Sequence, residues 1–118
     1  MEKLLAWVEI PTENFDRAVD FYNNVFGLEL EKQDFGTEKM AFFPKKEGAL
    51  IQAEGYKPSQ DGSIVSFNVP DTLDTAIDAI KKNGGKILVP KTKIDAEGRA
   101  FFAISLDSEG NKIGLYGK

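Results

Sequence analysis

The chain has no cysteine and no histidine among its 118 residues. Without cysteine there is neither a disulfide framework nor a thiolate metal site. Without histidine the commonest metal ligand is missing. The two absences together exclude nucleophilic catalysis through a Ser-His or Cys-His pair. No apolar run approaches membrane-spanning length, and the apolar stretch of the opening MEKLLAWVEIPTEN is too short for a signal peptide, so a soluble, cytoplasmic protein is expected, with no membrane partner. Charge of one sign is never blocked either: 15 Lys and Arg stand scattered among 19 Asp and Glu, a net charge of -4. That pattern disfavours a nucleic-acid surface, which needs a basic stripe, and it leans slightly towards cationic ligands. The glycines of NNVFGLEL and KNGGKIL follow helices and lack the strand-to-helix order of a phosphate loop.

What is present is ordinary globular material, 42% apolar and 29% charged, in a length that supports one domain with its own core. The first half reads as strand, helix and three strands. LLAWVEI (4–10) is a strand; Asn14 precedes Phe15, Ala18, Val19, Tyr22 and Phe26 at helical spacing, and Gly27 ends that helix. LELEKQ (28–33), KMAFFP (39–44) and GALIQAE (48–54) supply three strands. After the connector GYKPSQDG (55–62) the order repeats. SIVSFNV is a strand, Asp71 caps a helix striped with Leu73, Ala76, Ile77 and Ile80, and KILVPKT, RAFFAISL and NKIGLYG are strands. Ala18 and Ala76, like Gly27 and Gly85, stand 58 apart, the two AFF triplets 59, and Glu47-Gly48 and Glu109-Gly110 62. The prediction is an α+β fold of two tandem βαβββ modules, about 1–55 and 62–118, joined in a single domain 1–118 as a cup-shaped mixed sheet with helices on its outer face.

Alternation sorts the strand residues into two faces. Val8, Ile10, Ala49, Ile51, Ala53, Val65, Phe67, Val69, Ile113 and Leu115 are expected under the helices. Trp7, Glu9, Leu50, Gln52, Glu54, Ile64, Ser66, Asn68, Lys112, Gly114 and Tyr116 are expected on the opposite, mixed face, which suits a small-molecule cavity as well as a wet surface or a subunit contact. Trp7, Glu9, Gln52, Ser66, Asn68, Phe43, Phe102 and Tyr116 are the candidate ligand-binding residues. Glu9, shielded beside the Trp7 indole, is the candidate general acid or base and the group that orients a polar or cationic ligand; the plainer reading is a solvated carboxylate or one paired with a lysine such as Lys112.

The doubled unit, with ENFDRAVDFYNNVFGLEL in its first copy, AIKKNGGKIL in its second and the closing DSEGNKIGLYG, resembles the vicinal oxygen chelate superfamily, which covers glyoxalase I, extradiol dioxygenases and bleomycin-resistance proteins. The resemblance implies a cup per module, cups paired into a cavity, and a homodimer. For catalytic members it implies a divalent metal held by a histidine on the first strand, a glutamate on the fourth, a histidine on the fifth and a glutamate on the last. Matched by strand and face, those places fall on Trp7, Gln52, Ile64 and Gly114, none a usual ligand, and first-row metals need imidazole, thiolate or converging carboxylates. Gly114 is expected to leave room in the cup. The reading is a metal-independent, cofactor-free binder of a small organic molecule. Its rivals are a glyoxalase-type lyase or isomerase using a divalent metal and a ligand-free structural or regulatory dimer.

Overall fold

The computed structural model describes residues 3–94 and 100–118. Strand β1 (Val8–Pro11) leads into helix α1 (Phe15–Phe26), and β2 (Lys32–Asp34), β3 (Glu38–Phe42) and β4 (Gly48–Ala53) complete the first module. Strand β5 (Val65–Asn68), helix α2 (Leu73–Lys82), β6 (Lys86–Lys93), β7 (Phe101–Leu106) and β8 (Lys112–Gly117) form the second. The repeat read from the sequence is therefore present in full, with every strand but β6 starting later or ending sooner than the run expected for it. Residue 99, the start of the expected RAFFAISL strand, lies outside the described residues.

Local chemistry sets the helix ends. Asn14 caps α1 by accepting from the Arg17 N–H, and Gly27 closes it in the left-handed region at φ 66°, a conformation that costs glycine nothing. On α2 the cap is Thr72, whose hydroxyl accepts from the Thr75 N–H, rather than Asp71. A threonine one residue nearer the helix has the reach to that N–H.

In place of one shared sheet there are two of four strands, ordered β1-β4-β3-β2 and β5-β8-β7-β6. Each joins its first and last strands in parallel and the rest antiparallel. A single apolar core lies between them. It contains Ile10, Ala41 and Leu50 from the first sheet, Ala103, Ile113 and Leu115 from the second, and the buried faces of both helices. Helix α1 packs on β4 and α2, and α2 on β6, β7 and β8. At its centre Tyr22 and Phe26 of α1 meet Phe43 of the first module and Phe67 of the second, with ring centroids 4.8–6.0 Å apart, contacts worth about 0.5–1.5 kcal/mol each beyond their burial. Each sheet turns its other face away from this core.

Candidate functional site

On the second module, parallel pairing sets Ser66 opposite Gly114 and Asn68 opposite Tyr116, and β7 adds Phe102 beside Tyr116 and Ile104 beside Gly114. These residues and Ile64 line a cavity of about 400 Å³, a size that suits a small organic ligand. Four of the predicted ligand-binding residues, Ser66, Asn68, Phe102 and Tyr116, thus come together. Its polar side groups are one hydroxyl, one amide and the Tyr116 phenol, with aliphatic and aromatic walls around them. The reason for Gly114 differs from the expected one. A Cβ at that position would collide with Ser66 Oγ and approach Ser66 Cβ to 3.1 Å, so the glycine admits the serine side chain rather than leaving empty room.

The first module presents a different face. Glu9 and Phe42 flank Ala49 on neighbouring strands, Met40 lies beside Ile51, and Glu38 beside Ala53. Met40, Ala49 and Ile51 form a small buried cluster separate from the main core. Above it the Trp7 and Phe42 rings lie 6.1 Å apart, and the indole N–H donates to Glu9 Oε2 at 3.2 Å. The charge of Glu9, then its hydrogen bond, hold the Tyr56 phenol above its ordinary range, with Glu38 adding to the effect. The structure brings Trp7 and Glu9 together, but Glu9 is exposed and not shielded by the indole as expected. Lys112 is no ion-pair partner of Glu9, whose bonding is with the indole.

Two predicted site residues point the other way. Gln52 accepts from the Phe15 N–H at 2.7 Å, so its side chain lies on the helix side of β4 and ties down the start of α1. Phe43 is buried in the aromatic centre of the core. On β4 the cup-facing residues are Ala49, Ile51 and Ala53, which sequence alternation had set under the helices, and Leu50 takes the core side. On β4 the run at residues 48–51 gives alternation no polar contrast, and just past β3 the Phe43 expectation fails with the strand match. Ala41 pairs with Leu50, and Ala103 pairs with Leu115, making Ala41 the counterpart of Ala103; matching the AFF triplets instead shifts the register by an odd number of residues, which exchanges faces. The residues missed are therefore Phe42, Met40, Ala49, Tyr56 and Ile104; matching Ala41 to Ala103 rather than to Ala100 finds the first three.

The DSEGN turn joins the modules. Asp107, nearly fully buried, accepts from the Tyr22 hydroxyl at 2.7 Å and from the backbone N–H groups of Glu109 and Asn111. The Asn111 amide donates to the Pro11 carbonyl and its oxygen accepts from the Ser59 N–H. Glu109 reaches across to the start of α1, accepting from the N–H groups of Glu13 and Asn14 and from the Arg17 guanidinium at 2.7 Å. Burial pushes the Glu109 carboxyl up, but hydrogen bonds from Arg17, Asn14, Ser108 and Glu13 outweigh it and hold the group below the usual carboxylate range. Burial, then the charge of Asp107, push the Tyr22 phenol well up.

The registers also settle which positions answer to one another across the repeat. Glu9 pairs with Ala49 as Ser66 pairs with Gly114, so the counterpart of Gly114 on β4 is Ala49 and not Gln52. The places that the resemblance implies for a metal, Trp7, Gln52, Ile64 and Gly114, become Trp7, Ala49, Ile64 and Gly114 when carried onto these registers, and neither set offers a donor of the required kind. Among the described residues no group of three or more acidic side chains converges on a point that would hold a metal ion. The donor chemistry of this cup does not fit such a metal.

A family model described as the Glyoxalase/Bleomycin resistance protein/Dioxygenase superfamily matches residues 4–115. A glyoxylase-like domain-containing protein of Didymella fabae is 33% identical over 93 residues, covering 71% of this chain and 70% of its own length. Among solved structures, a glyoxalase/bleomycin resistance protein from Albidiferax ferrireducens superposes with a TM-score of 0.70 at 18% identity, covering 98% of this chain and 100% of the other. Glyoxalase I from Zea mays gives 0.68 at 22% identity, over 96% of this chain and 45% of that one.

Proposed function

We propose that this chain, which belongs to the Glyoxalase/Bleomycin resistance protein/Dioxygenase superfamily, binds a small organic molecule without a catalytic metal, in cups that a second copy of the chain completes. The observation that carries the reading is the lining itself: indole, aliphatic, methyl and bare backbone at Trp7, Ile64, Ala49 and Gly114, beside a cavity of about 400 Å³ whose polar groups are the Ser66 hydroxyl, the Asn68 amide and the Tyr116 phenol. Such a lining orients a ligand by a few hydrogen bonds and holds it by apolar contact. The reading includes a single domain spanning both modules and residence in the cytoplasm, as expected from the sequence.

The dimer is supported by what the two cup faces leave uncovered. Trp7, Phe42 and Tyr56 on one and Ile64 and Tyr116 on the other are exposed, at 36–45% of their full surface, and clustered apolar exposure marks interaction surfaces. A single chain turns both cups away from its own core, so closing either one takes another molecule. The first module of one copy over the second module of its partner uses both surfaces at once.

Elemental analysis of purified protein, followed by thermal shift with metals and small molecules, tests the binder. We expect no stoichiometric transition metal and a raised melting temperature with an organic ligand. A ligand at one hundred times its Kd adds about 2.7 kcal/mol, and each kcal/mol moves the midpoint by about 4–8 °C in a domain of this size. Activity that chelator abolishes and a divalent metal restores overturns the reading in favour of a lyase or isomerase. Silence across a broad library, with a dimer in sedimentation, favours a ligand-free role.

A further inference from the structure

The two cups differ in charge, and the difference lies at corresponding places. Where the second module has Ser66 on its first strand, the first has Glu9. Beside Glu9 stands Trp7, whose indole N–H donates to it and whose ring centroid lies 6.1 Å from that of Phe42, while Glu38 lies two strands away on the same face, beside Ala53. Beneath Glu9 and Phe42, Ala49 is fully buried, and it carries no charged or polar side chain. The indole that donates to Glu9 is neutral, so the carboxylate is hydrogen-bonded without its charge being balanced. Among the described residues the ion pairs join Arg17 to Glu109, Lys32 to Asp16 and Lys91 to Asp74. Neither Glu9 nor Glu38 takes part in one.

We propose that this face is a site for an organic ammonium ion, whose headgroup rests against the exposed Trp7 and Phe42 rings while Glu9, with Glu38 behind it, supplies the balancing charge. Aromatic faces attract a cation through their quadrupole, most strongly for tryptophan, and a nearby carboxylate adds direct attraction that water screens less beside an apolar wall. A metal ion is a poor occupant, since one or two carboxylates and two rings do not complete its coordination. A ligand with an ammonium end and a neutral, partly aromatic body matches both halves, the charged end on the first module and the body in the uncharged cavity of the second. The assignment rests on the reading of the cups as a ligand site and narrows it to one chemical class.

Trp7 is the one tryptophan in the sequence, so its fluorescence reports on this site directly. Choline and its neutral carbon isostere 3,3-dimethylbutan-1-ol, titrated in parallel, separate charge from shape. We expect choline to perturb the emission with a half-saturation at least about tenfold lower than the alcohol, and the preference to vanish in Glu9→Gln and shrink in Glu38→Gln. Glu9 is exposed, so these variants are expected to fold, which circular dichroism verifies. Equal responses to the two probes, or no response to either at concentrations of tens of millimolar, overturn the assignment. So does a Glu9→Gln variant that keeps its choline preference but loses its dimer, since the occupant is then a cationic side chain of the second copy. If neutral compounds still shift amide resonances of Ile64, Ile104 and Tyr116, the small-molecule reading stands and only the ammonium assignment falls; no binding of any compound removes both.

Discussion

In the first module Ala41 pairs with Leu50 and in the second Ala103 pairs with Leu115, and all four lie buried in the same core. One residue along on the same strands, Phe42 faces Ala49 and Ile104 faces Gly114, on surfaces that share neither charge nor shape. The helix-facing halves of the repeat stay alike because both must fill one core at close-packed density, and a change there is felt at once. The outward halves carry no such obligation. One has become acidic and aromatic; the other lines its cavity with uncharged groups and admits a serine across a glycine.

The modules differ also in how their helices begin, and this difference carries the largest expected effect. The start of α2 is served by its own Thr72 and by the Lys118 carbonyl near the chain end. The start of α1 is served partly by Glu109 from the other module. Glu109→Ala removes the carboxylate that accepts from two backbone N–H groups, and with it an ion pair, and should cost about 2–3 kcal/mol in urea unfolding, against about 1 kcal/mol for Thr72→Ala. The pH dependence has a definite sign. Glu109 is held below the usual range in the folded chain, so its contribution is present above the unfolded carboxyl value of about 4.3 and is lost as pH falls through its lowered folded value. The gap between the parent chain and Glu109→Gln should therefore close in acid. A gap that stays constant with pH shows that Glu109 acts as a spacer rather than as a charged strap.

A smaller effect separates the two floors. Gly114→Ala forces a methyl into Ser66 Oγ, and overpacking of this kind costs about 1–3 kcal/mol. Ser66→Ala in the same background should recover part of that loss, and its failure to do so locates the strain elsewhere. At the counterpart position the first module already carries the methyl as Ala49, buried without a comparable serine opposite, since Glu9 is its partner there.

Much of this architecture was legible in the residues. Asn14, Gly27 and the helical spacing of Phe15, Ala18, Val19 and Tyr22 are local signals, and local signals survive folding because caps and apolar stripes act within one element. The second cup was legible for the same reason: Ile113, Gly114 and Leu115 alternate without a break, and Ser66 and Asn68 alternate beside them. The first cup was not. Its faces depend on which residue of β4 lies beside β1 and β3, a pairing between distant segments, and every residue in Gly48–Leu50–Ile51 is apolar or small, so alternation has no contrast to work with. Ala49 and Ile51 read equally well inside or outside. The cross-module role of DSEGN was hidden likewise, because Tyr22 and Asp107 become neighbours only when the modules dock.

The smallest effect tests that reversed face. If Gln52 looked into the cup, Gln52→Ala would change ligand affinity and leave stability nearly untouched, since a cup-wall amide bonds to water when no ligand is bound. Its Oε1 instead accepts from the Phe15 N–H at 2.7 Å, one of the donors at the start of α1 that no carbonyl of the helix serves. Removal should therefore cost about 0.5–1.5 kcal/mol with ligand affinity unchanged, while Asn68→Ala, on the cavity wall, should do the reverse. Glutamate at position 52 sharpens the contrast further: its carboxylate can accept from the same N–H and sits favourably at a helix N-terminus, so Gln52→Glu should restore stability by about 0.3–1 kcal/mol relative to alanine and create no metal site. Metal binding by Gln52→Glu would return the residue to the cup and undo the register on which the asymmetry of the two faces is built.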